Sequence, residues 1–146
     1  MTANDGSNVE RTVPGSSPFH APPDAPLVLV AEDEDGVRQM VALALRSIGY
    51  RAELYADGAA AAAAFDAGTR PDVVLLDVRM PRMSGVELVR YLRAHPDGAD
   101  VPVVAMSAYS DELQAREMAE AGATAFLAKP FTLDELRATM LAIRGS

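Results

Sequence analysis

Cysteine and tryptophan are absent from the 146 residues, and lysine occurs once, at Lys129. Without cysteine there is no disulfide scaffold and no thiolate metal site. No apolar run approaches the ~20 residues that a bilayer-spanning helix needs, and Met-Thr-Ala-Asn-Asp at the start lacks the basic-then-apolar layout of a signal peptide. A soluble, cytoplasmic protein with no membrane insertion is expected. Basic residues are also scarce, 13 Lys+Arg against 21 Asp+Glu for a net charge of −8. Affinity for phosphate backbones comes from clustered Lys and Arg, so direct nucleic-acid binding is not expected.

The apolar share of 49 % is enough for a chain of this size to bury a core. Residues 1–26 hold five of the ten prolines and no hydrophobic periodicity, which reads as a disordered tail. Residues 27–146 read as one domain. Leu27-Val28-Leu29-Val30-Ala31 is continuously apolar, as in a strand buried on both faces. Val37, Met40, Val41, Ala44, Leu45 and Ile48 then fall on one helical stripe, and Gly49 stops it. Ala52 to Ala56 is a weaker strand, and the alanine-rich run Ala59 to Ala64 a second helix.

Val73-Val74-Leu75-Leu76 is a central strand ending at Asp77. Ser84-Gly85-Val86-Glu87 is a capping box for helix three. Val101 to Met106 reads as strand four, with helix four beginning at Ser110 or Asp111. Ala123 to Ala128 reads as strand five. Thr132-Leu133-Asp134-Glu135 is a second capping box, and Leu133, Leu136, Met140 and Ile143 stripe helix five, which runs to about Ile143. Five buried strands alternating with five helices predict a doubly wound α/β domain with a parallel sheet covered on both faces.

Ligands of such sheets bind beyond the carboxyl ends of the strands. Those positions hold Glu32 and Asp33 after strand one, Asp77 after strand three, Ser107 after strand four and Lys129 after strand five. Three clustered carboxylates repel one another, and a cation resolves the repulsion. Hard oxygen ligands favour Mg²⁺, through Asp33 and Asp77 with Glu32 acting by way of water. Zinc is disfavoured, because the two histidines lie in the tail (His20) and in a loop (His95). A carboxylate beside a divalent cation, a lysine and a hydroxyl is also what phosphoryl transfer to aspartate requires. Asp77 fits the nucleophile, with Lys129 and Ser107 as donors. Taken singly, each of these residues is more often a cap, a turn residue or a solvated charge.

In register, Val30-Ala31-Glu32-Asp33-Glu34, Leu75-Leu76-Asp77-Val78-Arg79-Met80-Pro81, Met106-Ser107-Ala108 and Lys129-Pro130-Phe131 resemble the receiver domain of two-component response regulators. The resemblance runs from Leu27 to about Arg144, with separations 77 − 33 = 44, 107 − 77 = 30 and 129 − 107 = 22. It implies a flavodoxin-like fold with strand order 2-1-3-4-5. It also implies a switch in which Asp77 accepts a phosphoryl group from a histidine kinase or phosphotransfer protein. Asp33, Asp77 and the Arg79 backbone carbonyl would hold Mg²⁺ with help from Glu32, while Lys129 and Ser107 contact the phosphoryl group. Ser107 and the aromatic Phe126 would move together, remodelling the surface of helix four, strand five and helix five for an effector protein. A cis Lys129-Pro130 bond is implied as well.

Phe126 stands where tyrosine is frequent, so a switching role there has no phenol hydroxyl. Arg79 and Tyr109 occupy positions where members of the family it resembles tune water access, which implies an effect on phosphoryl lifetime. Ala125 replaces an acidic residue usual before the switch aromatic, which predicts a monomer or weak dimer. No output domain follows helix five, so output through protein contact is expected. Two rival readings are a phosphate-independent module of the same fold, or the receiver fragment of a hybrid histidine kinase. Turnover of an external substrate is not expected, since a phosphatase would want a second Asp where Arg79 stands and no nucleotide-binding Gly-rich loop exists.

Overall fold

The computed structural model describes residues 22–108 and 112–144. Continuously apolar segments become strands here because a parallel sheet covered by helices offers no wet face. The strands are β1 Leu27–Ala31, β2 Arg51–Tyr55, β3 Val73–Asp77, β4 Val103–Ser107 and β5 Ala125–Ala128. The helices are α1 Asp35–Ser47, α2 Gly58–Asp66, α3 Gly85–Ala94, α4 Glu112–Ala121 and α5 Leu133–Arg144. All pairings are parallel, in the order β2-β1-β3-β4-β5. Every residue of β1 and β3 is buried.

Alternation along each strand feeds two cores. Leu29, Ala31, Val74, Leu76, Val103 and Ala105 face α2, α3 and α4, meeting Phe65, Leu88, Leu92 and Met118. Val28, Val30, Val73, Leu75, Val104 and Met106 face α1 and α5, meeting Val41, Leu45, Leu136 and Met140.

Several boundaries and faces differ from the sequence expectation. Strand two lies one residue earlier than Ala52 to Ala56, because the Arg51 N–H is already tied to the Pro26 carbonyl. Strand four begins at Val103 rather than Val101; Pro102 lacks an N–H and offers only its carbonyl, to Val74. Strand five begins at Ala125 because Ala123 closes the end of α4 on Met118, and the Thr124 hydroxyl accepts from Val103 N–H. The start of helix four at Ser110 or Asp111 lies outside the described residues. On α1 the buried positions are Val41, Ala42 and Leu45, while Met40 is 54 % exposed. Leu133 likewise faces outward. Most of the composition-defined tail lies outside the described residues, but residues 22–26 form a turn onto the domain, with Ala25 buried and its carbonyl accepting from Arg51 Nε at 2.8 Å.

Both capping boxes close, Ser84 with Glu87 and Thr132 with Glu135. A third cap, Asp57, carries more. One oxygen accepts from Ala60 N–H at 2.7 Å, and the other takes both Nε (2.9 Å) and Nη2 (2.6 Å) of Arg82. These bonds hold its carboxyl below the usual range, the Ala60 N–H contributing most and Arg82 next. Arg82 sits at φ 66, a left-handed conformation that L-residues other than glycine seldom adopt, in the loop between β3 and α3. Asp57 thus ties α2 to that loop. Asp57→Ala is expected to cost about 1–2 kcal/mol in urea denaturation, and Asp57→Asn, which keeps the cap, about half of that. Equal losses would show that the Ala60 cap contributes nothing beyond the arginine bridge.

Candidate functional site

At the carboxyl ends of β1, β3, β4 and β5 lies a cleft of about 460 Å³ lined by Glu32, Asp33, Glu34, Asp77, Val78, Arg79, Ser107, Ala108, Gln114 and Lys129. Parallel strands deliver all their carboxyl ends to one rim, which is why residues so far apart in sequence meet there. The register sets Asp77 beside Met106 and Ser107 beside Ala128. The Lys129 N–H bonds the Ser107 carbonyl at 2.7 Å, and the Val78 N–H bonds that of Met106 at 3.0 Å. The Lys129–Pro130 peptide is cis.

Carboxylate oxygens of Glu32, Asp33 and Asp77 lie within 4.8 Å of one another. Glu32 is 1 % exposed and Asp77 9 %, whereas Asp33 is open to solvent. A buried carboxylate needs a partner. Lys129 Nζ supplies one, 2.6 Å from Glu32 Oε1 and 3.5 Å from Asp77 Oδ1. Glu32 Oε2 also accepts from Glu34 N–H at 3.1 Å.

Burial pushes the Asp77 carboxyl up to about 6, with repulsion from Glu32 adding to it. The Lys129 charge and an N–H from Arg79 pull the other way, and Asp33 adds a smaller upward push. Burial alone would lower the Lys129 ammonium, but the bond to Glu32 and the Asp77 and Glu32 charges outweigh it and hold it above its ordinary value. A group of three clustered carboxylates relieved by one ammonium suits a hard divalent cation with oxygen ligands.

Among the residues expected from sequence, Glu32, Asp33, Asp77, Arg79, Ser107 and Lys129 line this one cleft. Phe126, on β5, is 42 % exposed and not among the lining residues, and Tyr109 lies outside the described residues. Sequence reasoning missed Gln114. Its side-chain oxygen, in the amide orientation that matches acceptor to donor, accepts from Arg79 Nε at 2.8 Å and Nη2 at 3.1 Å. A glutamine on a polar helix face carries no pattern that would have found it.

A profile of the response regulator receiver domain matches residues 28–141. Response regulator MprA of Mycobacterium sp. (strain KMS) is 40 % identical over 116 residues, 80 % of this chain and 49 % of that protein. Regulatory protein AtoC of Escherichia coli (strain K12) is 38 % identical over 109 residues, 75 % of this chain and 23 % of that protein. The chain therefore spans about half or less of the length of these curated relatives. Among solved structures, chemotaxis protein CheY4 of Vibrio cholerae superposes with a TM-score of 0.77 at 33 % identity, covering 82 % of this chain and 98 % of that one. The receiver domain of sensor histidine kinase PA1611 from Pseudomonas aeruginosa, described with a magnesium ion in its active-site cleft, gives 0.77 at 33 %, covering 84 % and 99 %. Strand order, the acidic cleft with its lysine, and a match over most of the folded residues agree: the chain belongs to the response regulator receiver domain family.

Proposed function

We propose that the chain is a phospho-accepting switch of a two-component phosphorelay in the cytoplasm, with Asp77 as the acceptor. The observation that carries this reading is the placement of Asp77. Its carboxylate ends a rigid central strand, shares the cleft with two further carboxylates and has the ammonium of Lys129 3.5 Å away. A histidine kinase or phosphotransfer protein donates the group. An Asp77 carboxylate oxygen bonds to phosphorus as the donor's N–P bond breaks, and the departing nitrogen keeps the bonding pair.

Glu32, Asp33, Asp77 and the Arg79 carbonyl would hold Mg²⁺, for which the clustered hard oxygens are suited. When bound, the ion neutralises charge on the phosphoryl oxygens. Lys129 compensates the carboxylates and contacts the incoming group, and the Ser107 hydroxyl donates to it. The magnesium described in the PA1611 receiver cleft supports the same assignment.

The new charge then biases a two-state element, with Ser107 and Phe126 shifting the surface of α4, β5 and α5 toward a downstream effector protein. The half-exposed Phe126 and the exposed Leu113 and Leu141 give that surface apolar contacts to offer. Self-association is weak at most. Arg79 and Tyr109 tune phosphoryl lifetime, and no external substrate is turned over.

Intact mass after incubation with acetyl phosphate tests this. One phosphoryl group is expected on the wild type with Mg²⁺, and none without Mg²⁺ or in Asp77→Asn. A folded wild-type protein that gains nothing would favour a phosphate-independent interaction module.

A further inference from the structure

Arg79, in the loop after β3, and Gln114, in the first turn of α4, both line the cleft. The Arg79 guanidinium makes no ion pair with the clustered carboxylates, although it leaves the chain two residues after Asp77. Its Nε and Nη2 instead converge on the Gln114 side-chain oxygen, at 2.8 and 3.1 Å. A charged fork held by two hydrogen bonds is a strong and directional contact. Here it joins two segments that α3 and β4 separate in sequence, and both of its ends line the cleft.

We infer that Gln114 is a positioning residue, holding Arg79 as a bar across the mouth of the cleft so that water reaches an Asp77 phosphoryl group slowly. The inference rests on Asp77 being the phosphoryl acceptor. In decay, a water oxygen bonds to phosphorus as the P–O bond to Asp77 breaks. The electron pair returns to the carboxylate, and the protons of the water leave with inorganic phosphate and solvent. Attack in line with the breaking bond comes from the side of phosphorus away from Asp77, an approach that a fork joining two lining residues narrows. The side-chain oxygen at position 114 orients the guanidinium by accepting from both arms of the fork.

The test is the decay of phosphorylated full-length protein in Mg²⁺, followed by intact mass after acetyl phosphate is removed. Gln114→Ala and Arg79→Ala are each expected to shorten the half-life about threefold or more, and the double variant no further, because residues acting as one contact are non-additive. Gln114→Glu, whose carboxylate accepts from the same fork, is expected to stay within about twofold of wild type, whereas a helix-stability role of Gln114 would predict no loss in Gln114→Ala. Alanine is the better helix former at position 114, so denaturation midpoints are expected to match. A Gln114→Ala half-life equal to wild type, or single effects that multiply in the double variant, would overturn the bar while leaving Asp77 phosphorylation intact. A wild type that takes no phosphoryl group overturns the acceptor reading itself.

Discussion

Replacing Asp77 with asparagine is expected to stabilise the metal-free protein by about 2–3 kcal/mol at neutral pH, although it removes the proposed acceptor. Burial and the Glu32 charge raise the Asp77 carboxyl to about 6 from an ordinary 3.8. An acid whose folded-state pKa is raised binds its proton more tightly folded than unfolded. Its ionised form therefore opposes folding fully above pH 6, and the opposition fades as pH falls from 6 toward 4. Asparagine keeps an oxygen for the Arg79 N–H and carries no charge. Urea unfolding in a chelator across this range is expected to show Asp77→Asn ahead at pH 7.5, with the two proteins converging as pH falls to about 4. A variant no more stable than wild type at pH 7.5 would mean that the carboxylate cluster is relieved by Lys129 alone. The stored repulsion is the ordinary cost of keeping a reactive site ready.

Gly85→Ala is expected to damage both the stability of the chain and the geometry of the site. A methyl group there would lie 2.6 Å from the Asp77 carbonyl oxygen and 2.8 Å from Val78 Cα. Both are backbone atoms on the strand end that carries the site, and neither can swing aside. Overpacking of this kind costs about 3 kcal/mol, against which alanine's better helix propensity returns about 1 kcal/mol. The larger effect is functional. A displacement of Asp77 on the order of 1 Å is expected to slow phosphorylation by acetyl phosphate about 100-fold. Gly36→Ala is the control, since nothing lies within 4 Å of its added carbon and it also sits early in a helix. If both glycine variants behave alike, the close approach at Gly85 is not what requires glycine there.

The fold was legible because β1 and β3 are apolar at every position save the terminal Asp77, a pattern that only a covered parallel sheet explains. The clustering of Glu32, Asp33, Asp77, Ser107 and Lys129 was legible for a related reason: once the strands are parallel, their ends must meet. Faces of helices were read less well. Met40 and Leu133 fit their stripes by spacing yet point outward, because a stripe about 100° wide is broader than the contact the sheet offers. Strand starts slipped where a proline, a turn or a side-chain hydroxyl took over the hydrogen bonding, as at Pro102 and Thr124. The contacts that shape the rim were not legible at all. Asp57 with Arg82, Arg79 with Gln114 and Gly85 against Asp77 use ordinary residue types, and only folding makes them neighbours.

The pairing of Lys129 with Glu32 and Asp77 has a practical side. Because no other lysine exists, an acylating reagent meets a side-chain amine only inside the cleft. The ammonium that must lose its proton to react is the one its two carboxylate neighbours hold protonated. Labelling at that residue should be slow and should respond to whatever enters the cleft, so its rate is a built-in reporter of site occupancy, read from native protein by the mass of a single peptide. The same scarcity means that any side-chain linkage made by amine coupling would run through the site itself.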